Sequence, residues 1–143
     1  VDGYMSNPHC TQNEINRVPL LTCADYAWSP GGYDPARSIG QAIAHLEESP
    51  AARRLLADLV EAYPGMLLYG NGHTGFNSVR DQYNRLSGQR HARFAAAGYI
   101  QHLEALSARM AEVFPDRYRA ARKTLDDDVA WAKEAFARKY DNR

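Results

Sequence analysis

Residues 1–28 read VDGYMSNPHCTQNEINRVPLLTCADYAW. Asp2 to Asn7, with Gly3 beside Tyr4 and Met5, reads as a short strand. Pro8 ends it, because proline cannot continue a ladder. Thr11 is the expected N-cap of a helix, and Glu14 three residues later closes a capping box. Ile15, Val18, Leu21, Cys23, Ala24, Ala27 and Trp28 then keep helical spacing rather than alternation. Pro19 removes one hydrogen bond of this helix and is expected to kink it. Ser29-Pro30-Gly31-Gly32 stops it with turn chemistry. A strand at the head of a chain that supplies no partner for it suggests the C-terminal part of a larger protein, cut at its last strand.

Everything after Pro8 reads as helix or loop. Asp34-Pro35 opens a second helix, with aspartate as N-cap and proline at the first helical position. Ile39, Ala42, Ile43 and Leu46 form its stripe. Ser49-Pro50 repeats the signal for a third, with Leu55, Leu56, Leu59, Val60 and Tyr63 as the stripe and Pro64-Gly65 as its end. Residues 66–77, MLLYGNGHTGFN, read as a loop, and Ser78 to Leu86 as a short helix closed by Ser87-Gly88. A long helix is expected over Gln89 to Phe114, on Phe94, Ala97, Ile100, Leu103, Leu106, Met110 and Val113. The last starts at Pro115 and runs to Tyr140, on Tyr118, Ala121, Leu125, Val129, Ala132, Phe136 and Tyr140. So short a connection makes these two antiparallel neighbours. The fold class is all-α, a bundle of five to six helices with one short N-terminal strand.

Composition narrows the function. Seventeen basic side chains balance seventeen acidic ones, so no overall field draws in nucleic acid or an anionic membrane. No apolar run approaches the ~20 residues of a membrane span. Cys10 and Cys23 would lie ~20 Å apart along a helix, too far for a bridge, and both are read as reduced thiols. Two cysteines and no visible signal sequence lead to the expectation of a cytoplasmic protein.

The residues that could carry chemistry each have a plainer reading. Asp126-Asp127-Asp128 suggests acid/base work or a metal, but successive helical positions point ~100° apart and cannot converge on one ligand. With Arg122 and Lys123 close by, all three read as a solvated face. His9, Cys10 and Cys23 match no zinc spacing. Gly70-Asn71-Gly72-His73-Thr74-Gly75 has glycines like a phosphate loop but lacks the following Gly-Lys-Ser/Thr. His73 is kept as a candidate for the rim of a substrate site. His91, His102 and Glu104 read as exposed positions on the long helix. Arg53-Arg54 and Arg117, Arg119, Arg122 and Lys123 read as a mixed surface. Nine tyrosines spread along stripes offer no platform for single-stranded nucleic acid. No catalytic residue, metal ligand or cofactor site follows from these residues.

One resemblance adds a function. Gly3-Tyr4-Met5-Ser6-Asn7-Pro8, His9-Cys10 and Ala24-Asp25-Tyr26-Ala27-Trp28 resemble the end of the catalytic barrel in the family 84 glycoside hydrolases. These β-N-acetylglucosaminidases include O-GlcNAcase and hyaluronidase-like enzymes. Tyr33-Asp34-Pro35-Ala36-Arg37-Ser38 and Ala42-Ile43 are similar to the entry into the family's helical post-catalytic domain; Ile39 stands where the family has tryptophan. The likeness covers about the first 45 residues. It implies that residues 1–28 are the last strand and helix of a (β/α)8 barrel and residues 29–143 a helical bundle behind it. It also implies a retaining, substrate-assisted parent enzyme whose catalytic aspartates match nothing here. The implied partners are the chain's own barrel, a glycan or glycosylated protein reached through it, and a second copy in a homodimer, with no nucleic acid and no membrane. The alternative is a stand-alone helical interaction module with no glycosidase parent.

Overall fold

The computed structural model describes residues 13–63 and 79–141. The expected strand, Cys10, Thr11, and the loop carrying His73 lie outside them. Every regular element among the described residues is helical: α1 (Asn13–Trp28), a 3-10 turn (Pro30–Gly32), α2 (Pro35–Leu46), α3 (Pro50–Ala62), α4 (Val79–Ser87), α5 (Ala92–Val113) and α6 (Arg119–Tyr140). The chain forms two compact units, Val1–Ala57 and Asp58–Arg143, and α3 begins in the first and ends in the second.

In the first unit α1 packs against α2. The caps are those the sequence specifies. Asp34 Oδ1 accepts the Arg37 N–H at 2.7 Å, and Ser49 Oγ accepts the Ala52 N–H at 3.1 Å. Arg53 reaches back from α3, its Nε donating to the Glu47 carbonyl at 2.6 Å and its Nη2 to the Ala44 carbonyl at 3.2 Å. It thereby satisfies carbonyls at the end of α2 that have no partner within the helix. Pro19 sits inside α1, and the Thr22 hydroxyl donates to its carbonyl at 2.8 Å. Val18, Ala42, Ile43, Ala52, Leu55 and Leu56 are buried.

The outer face of α1 differs from the expected stripe. Val18 is buried and Leu21 and Asp25 half-buried. Leu20 is 39% exposed, Ala24 and Ala27 are exposed, and Trp28 is 90% exposed. These four fall at helical intervals of three and four, so they form one outward apolar stripe. Trp28, expected inside, is therefore corrected to the outside.

In the second unit α5 and α6 run antiparallel. Arg93 pairs with Asp141, Glu104 with Lys133, and the Ser107 hydroxyl donates to Asp126, so partners advance along one helix as they retreat along the other. α5 buries Ala96, Ile100, Leu103, Leu106 and Met110; α6 buries Ala121, Leu125, Asp128 and Ala132. Each buried leucine contributes ~1.5–3 kcal/mol of transfer free energy. Phe94 and Val113, expected inside, are 83% and 38% exposed. The stripe starts at Ala96, four residues before Ile100, whereas Phe94, six before it, lies ~120° around the helix from that face. α5 starts at Ala92 rather than Gln89, after a left-handed His91 (φ 65°).

The last helix likewise starts at Arg119 and not at Pro115, because Tyr118 turns the chain at φ 52°. Its buried ring meets Phe114 edge-on at 4.9 Å. Arg122 Nη1 donates to the Phe114 and Pro115 carbonyls at 2.9 and 2.8 Å, tying the end of α5 to the start of α6.

Candidate functional site

The most polar point in the second unit's interior is Asp128, whose side chain is fully buried. Ala121, Leu125, Asp128 and Ala132 follow at steps of four, three and four, so α6 carries the carboxylate inward on its apolar stripe. Asp128 Oδ2 accepts the Tyr63 O–H at 3.0 Å, and Oδ1 accepts Arg80 Nε–H at 2.8 Å. Tyr63 is the residue after α3, and Arg80 lies in the first turn of α4. One carboxylate thus joins three helices.

The surroundings are aromatic. The Arg80 guanidinium lies over the Trp131 ring, 5.1 Å from its centre, and Tyr83 meets that ring edge-on at 5.5 Å. Trp131 follows Asp128 by three residues and Tyr83 follows Arg80 by three, so each helix offers a polar and an aromatic group on one side. Ile100 and Ala132 are buried with Tyr83, and Tyr99, Phe136 and Tyr140 pack around them. The Tyr83 hydroxyl is buried without a hydrogen-bond partner among the described residues.

Burial sets the protonation of this cluster. It pushes the Asp128 carboxyl above its ordinary range, and the hydrogen bonds from Arg80 and Tyr63 only partly oppose that. Burial and then the Asp128 charge raise the Tyr63 phenol well above its usual range, and they lift Tyr99 to about 12. Burial also raises Tyr83.

Chemically the arrangement is a clamp. Both carboxylate oxygens hold a donor, and no side-chain surface of Asp128 meets solvent. Asp127 pairs with Lys123 on α6's own surface at 2.7 Å, and the exposed Asp126 accepts from Ser107. These two are the solvated acids the sequence suggests. Asp128 corrects that expectation. Asp128 and Val129 both stand at helical intervals from Leu125, so spacing alone does not pick out the buried one.

The other candidates do not converge. His73, His9 and Cys10 lie outside the described residues, and Cys23 is half-buried on α1. His91 and His102 are exposed, and Glu104 pairs with Lys133 at 2.7 Å. Arg117 stacks over Phe114 and Tyr118 at 5.5 and 5.0 Å, and Arg119 pairs with Asp116 at 2.9 Å. The basic run is thus occupied by its own neighbours. Among the described residues no helix is long and apolar enough to cross a membrane.

The comparison with known families falls on the first unit. Residues 1–61 match the family model of the beta-N-acetylglucosaminidases. The matched segment contains α1, α2 and nearly all of α3, and over these residues the chain is similar to the beta-N-acetylglucosaminidases. No curated protein and no solved structure matches the chain.

Proposed function

We propose that this chain is the helical region packed behind the catalytic barrel of an O-GlcNAcase-like retaining β-N-acetylglucosaminidase. In this reading residues 1–28 end the barrel and residues 29–143 form the post-catalytic bundle. The observation that carries it is the outward stripe of Leu20, Ala24, Ala27 and Trp28, inside the segment that matches the family. An exposed tryptophan in line with three apolar neighbours fits a packing partner better than open water. The barrel is that partner.

The chain's role is then support. The chemistry of such an enzyme uses the substrate's own 2-acetamido oxygen as nucleophile, with two aspartates to polarise it and to protonate the leaving oxygen. Asp128, sealed between Tyr63 and Arg80, is not one of them, and no residue here is assigned a catalytic role. A homodimer contact and a rim for a glycosylated protein substrate, with His73 as its candidate residue, are further parts of the proposal. The second reading is an independent interaction module; it is favoured by the second unit, nearly all of which lies beyond the family match.

Two measurements decide. The chain alone should not turn over 4-nitrophenyl N-acetyl-β-D-glucosaminide, and turnover would overturn the supporting role. The coding sequence upstream of Val1 should encode a barrel with an adjacent aspartate pair. A start codon at Val1 would leave the module reading standing.

A further inference from the structure

Formal charge over the whole chain is zero, yet one end of the second unit is strongly basic. Lys139 Nζ donates to the Ser87 carbonyl at 2.6 Å, and Arg93 pairs with Asp141 at 3.2 Å. These contacts bring the end of α6 beside the end of α4 and the start of α5. From Asn84 to Phe94 the chain has three arginines, Arg85, Arg90 and Arg93, and no acid. The end of α6 adds Arg138 and Lys139; the acids are Asp141 at this end, Glu134 one turn back and 3.9 Å from Arg138, and Asp81 one turn before Arg85 on α4. Among the described residues, neither Arg85 nor Arg90 makes an ion pair.

Two features here work against local stability. Arg93 sits in the first turn of α5, which holds no acid, although cations are disfavoured at that end of a helix. Phe94 is 83% exposed beside it. A partner of opposite charge that also has an apolar face would relieve both. We propose that this end of the second unit is a docking surface for an acidic glycan, whose carboxylates or sulfates pair with Arg85, Arg90 and Arg93 and whose sugar rings lie against Phe94. A single exposed ring among arginines suits a sugar chain better than a nucleic acid, which stacks successive bases on a series of aromatics. The choice of a glycan rests on the relation to β-N-acetylglucosaminidases; the anionic character rests on the patch alone.

The test is calorimetric titration of the 143-residue chain with a heparan sulfate octasaccharide in low salt. Binding is expected, weakening as salt screens the charges. Arg90→Glu should weaken it about tenfold and Phe94→Ser about threefold. Arg54→Glu, the same charge change on the exposed surface of the first unit, should leave it unaltered. Arg85→Glu serves as a second variant, and unchanged melting temperatures confirm that the variants fold. Absence of binding would overturn the proposal. So would equal binding of neutral chitotetraose, tighter binding of single-stranded RNA or of phosphatidylserine vesicles, or indifference to Arg90→Glu. None of these outcomes bears on the supporting role, which stands or falls on the upstream coding sequence and the aryl glycoside assay.

Discussion

The two units handle their side chains in opposite ways. The first, which carries the family match, leaves Leu20, Ala24, Ala27 and Trp28 of α1 facing outward. The second, nearly all of it beyond the match, draws inward not only its leucines but a carboxylate, Asp128, with Tyr63 and Arg80 to receive it. An outward apolar stripe adds nothing to the stability of the unit that bears it. A buried charge-assisted network has the opposite character: it costs desolvation and returns a fixed arrangement of the helices that share it. The first unit leaves apolar surface open along α1, and the second closes over its own polar group.

The sharpest way to break this contrast is to empty the clamp. Asp128→Ala removes the acceptor that the Tyr63 hydroxyl and Arg80 Nε share and should cost ~3–5 kcal/mol in urea unfolding. Asp128→Asn keeps an acceptor and should cost less. Because burial raises the folded-state pKa of Asp128, its contribution to stability is full below the ordinary carboxyl pKa of 3.8 and is lost as pH rises through the raised value. The wild type should therefore gain on Asp128→Asn as pH falls from 7 toward 4. A cost within the ±0.5 kcal/mol of ordinary surface changes for Asp128→Ala would show that the carboxylate fixes nothing.

The phenols around the clamp give a second, smaller effect at the other end of the pH scale. Tyr99 titrates near 12 in the fold against 10.0 when free, and Tyr63 is raised further. A raised pKa means that the neutral phenol is favoured by folding. Its stability contribution is full below pH 10 and declines as pH climbs toward 12. Thermal melts between pH 9 and 12 should fall steeply for the wild type and less steeply for Tyr99→Phe. Parallel curves would remove Tyr99 from the network.

A third test concerns backbone strain. His91 is exposed and left-handed, where a Cβ is disfavoured and glycine is not. His91→Gly should raise stability by up to ~1 kcal/mol, read from the urea midpoint. A loss would mean that the imidazole makes a contact that offsets the strain.

Much of this fold is legible in the sequence, and the exceptions have physical causes. Asp34-Pro35 and Ser49-Pro50 specify their helix starts because a cap is a local matter: one side-chain oxygen and one N–H three residues on. Phase along a long helix is less local. Three identical aspartates conceal which one faces inward, and only Arg80 and Tyr63, 48 and 65 residues distant, decide for Asp128. The starts of α5 and α6 shift because His91 and Tyr118 adopt turns usually given to glycine, and no residue type announces that. Trp28 departs from the expected stripe for a different reason. Spacing reveals that a face is apolar, not which body covers it.

That last point gives the smallest expected effect. Trp28 is 90% exposed, so removing its ring forfeits almost no burial within the chain. Trp28→Ser should leave the chain's own unfolding free energy within ±0.5 kcal/mol of wild type, as for surface substitutions generally. If the proposed barrel precedes this chain, the same change in the longer protein should lower stability by the ~3–5 kcal/mol of a large aromatic lost from a core, because the barrel would cover the ring. The two measurements must differ if α1 belongs to a joint. Equal, near-zero effects in both would make the stripe ordinary surface, and would leave the two units alike in closing on themselves.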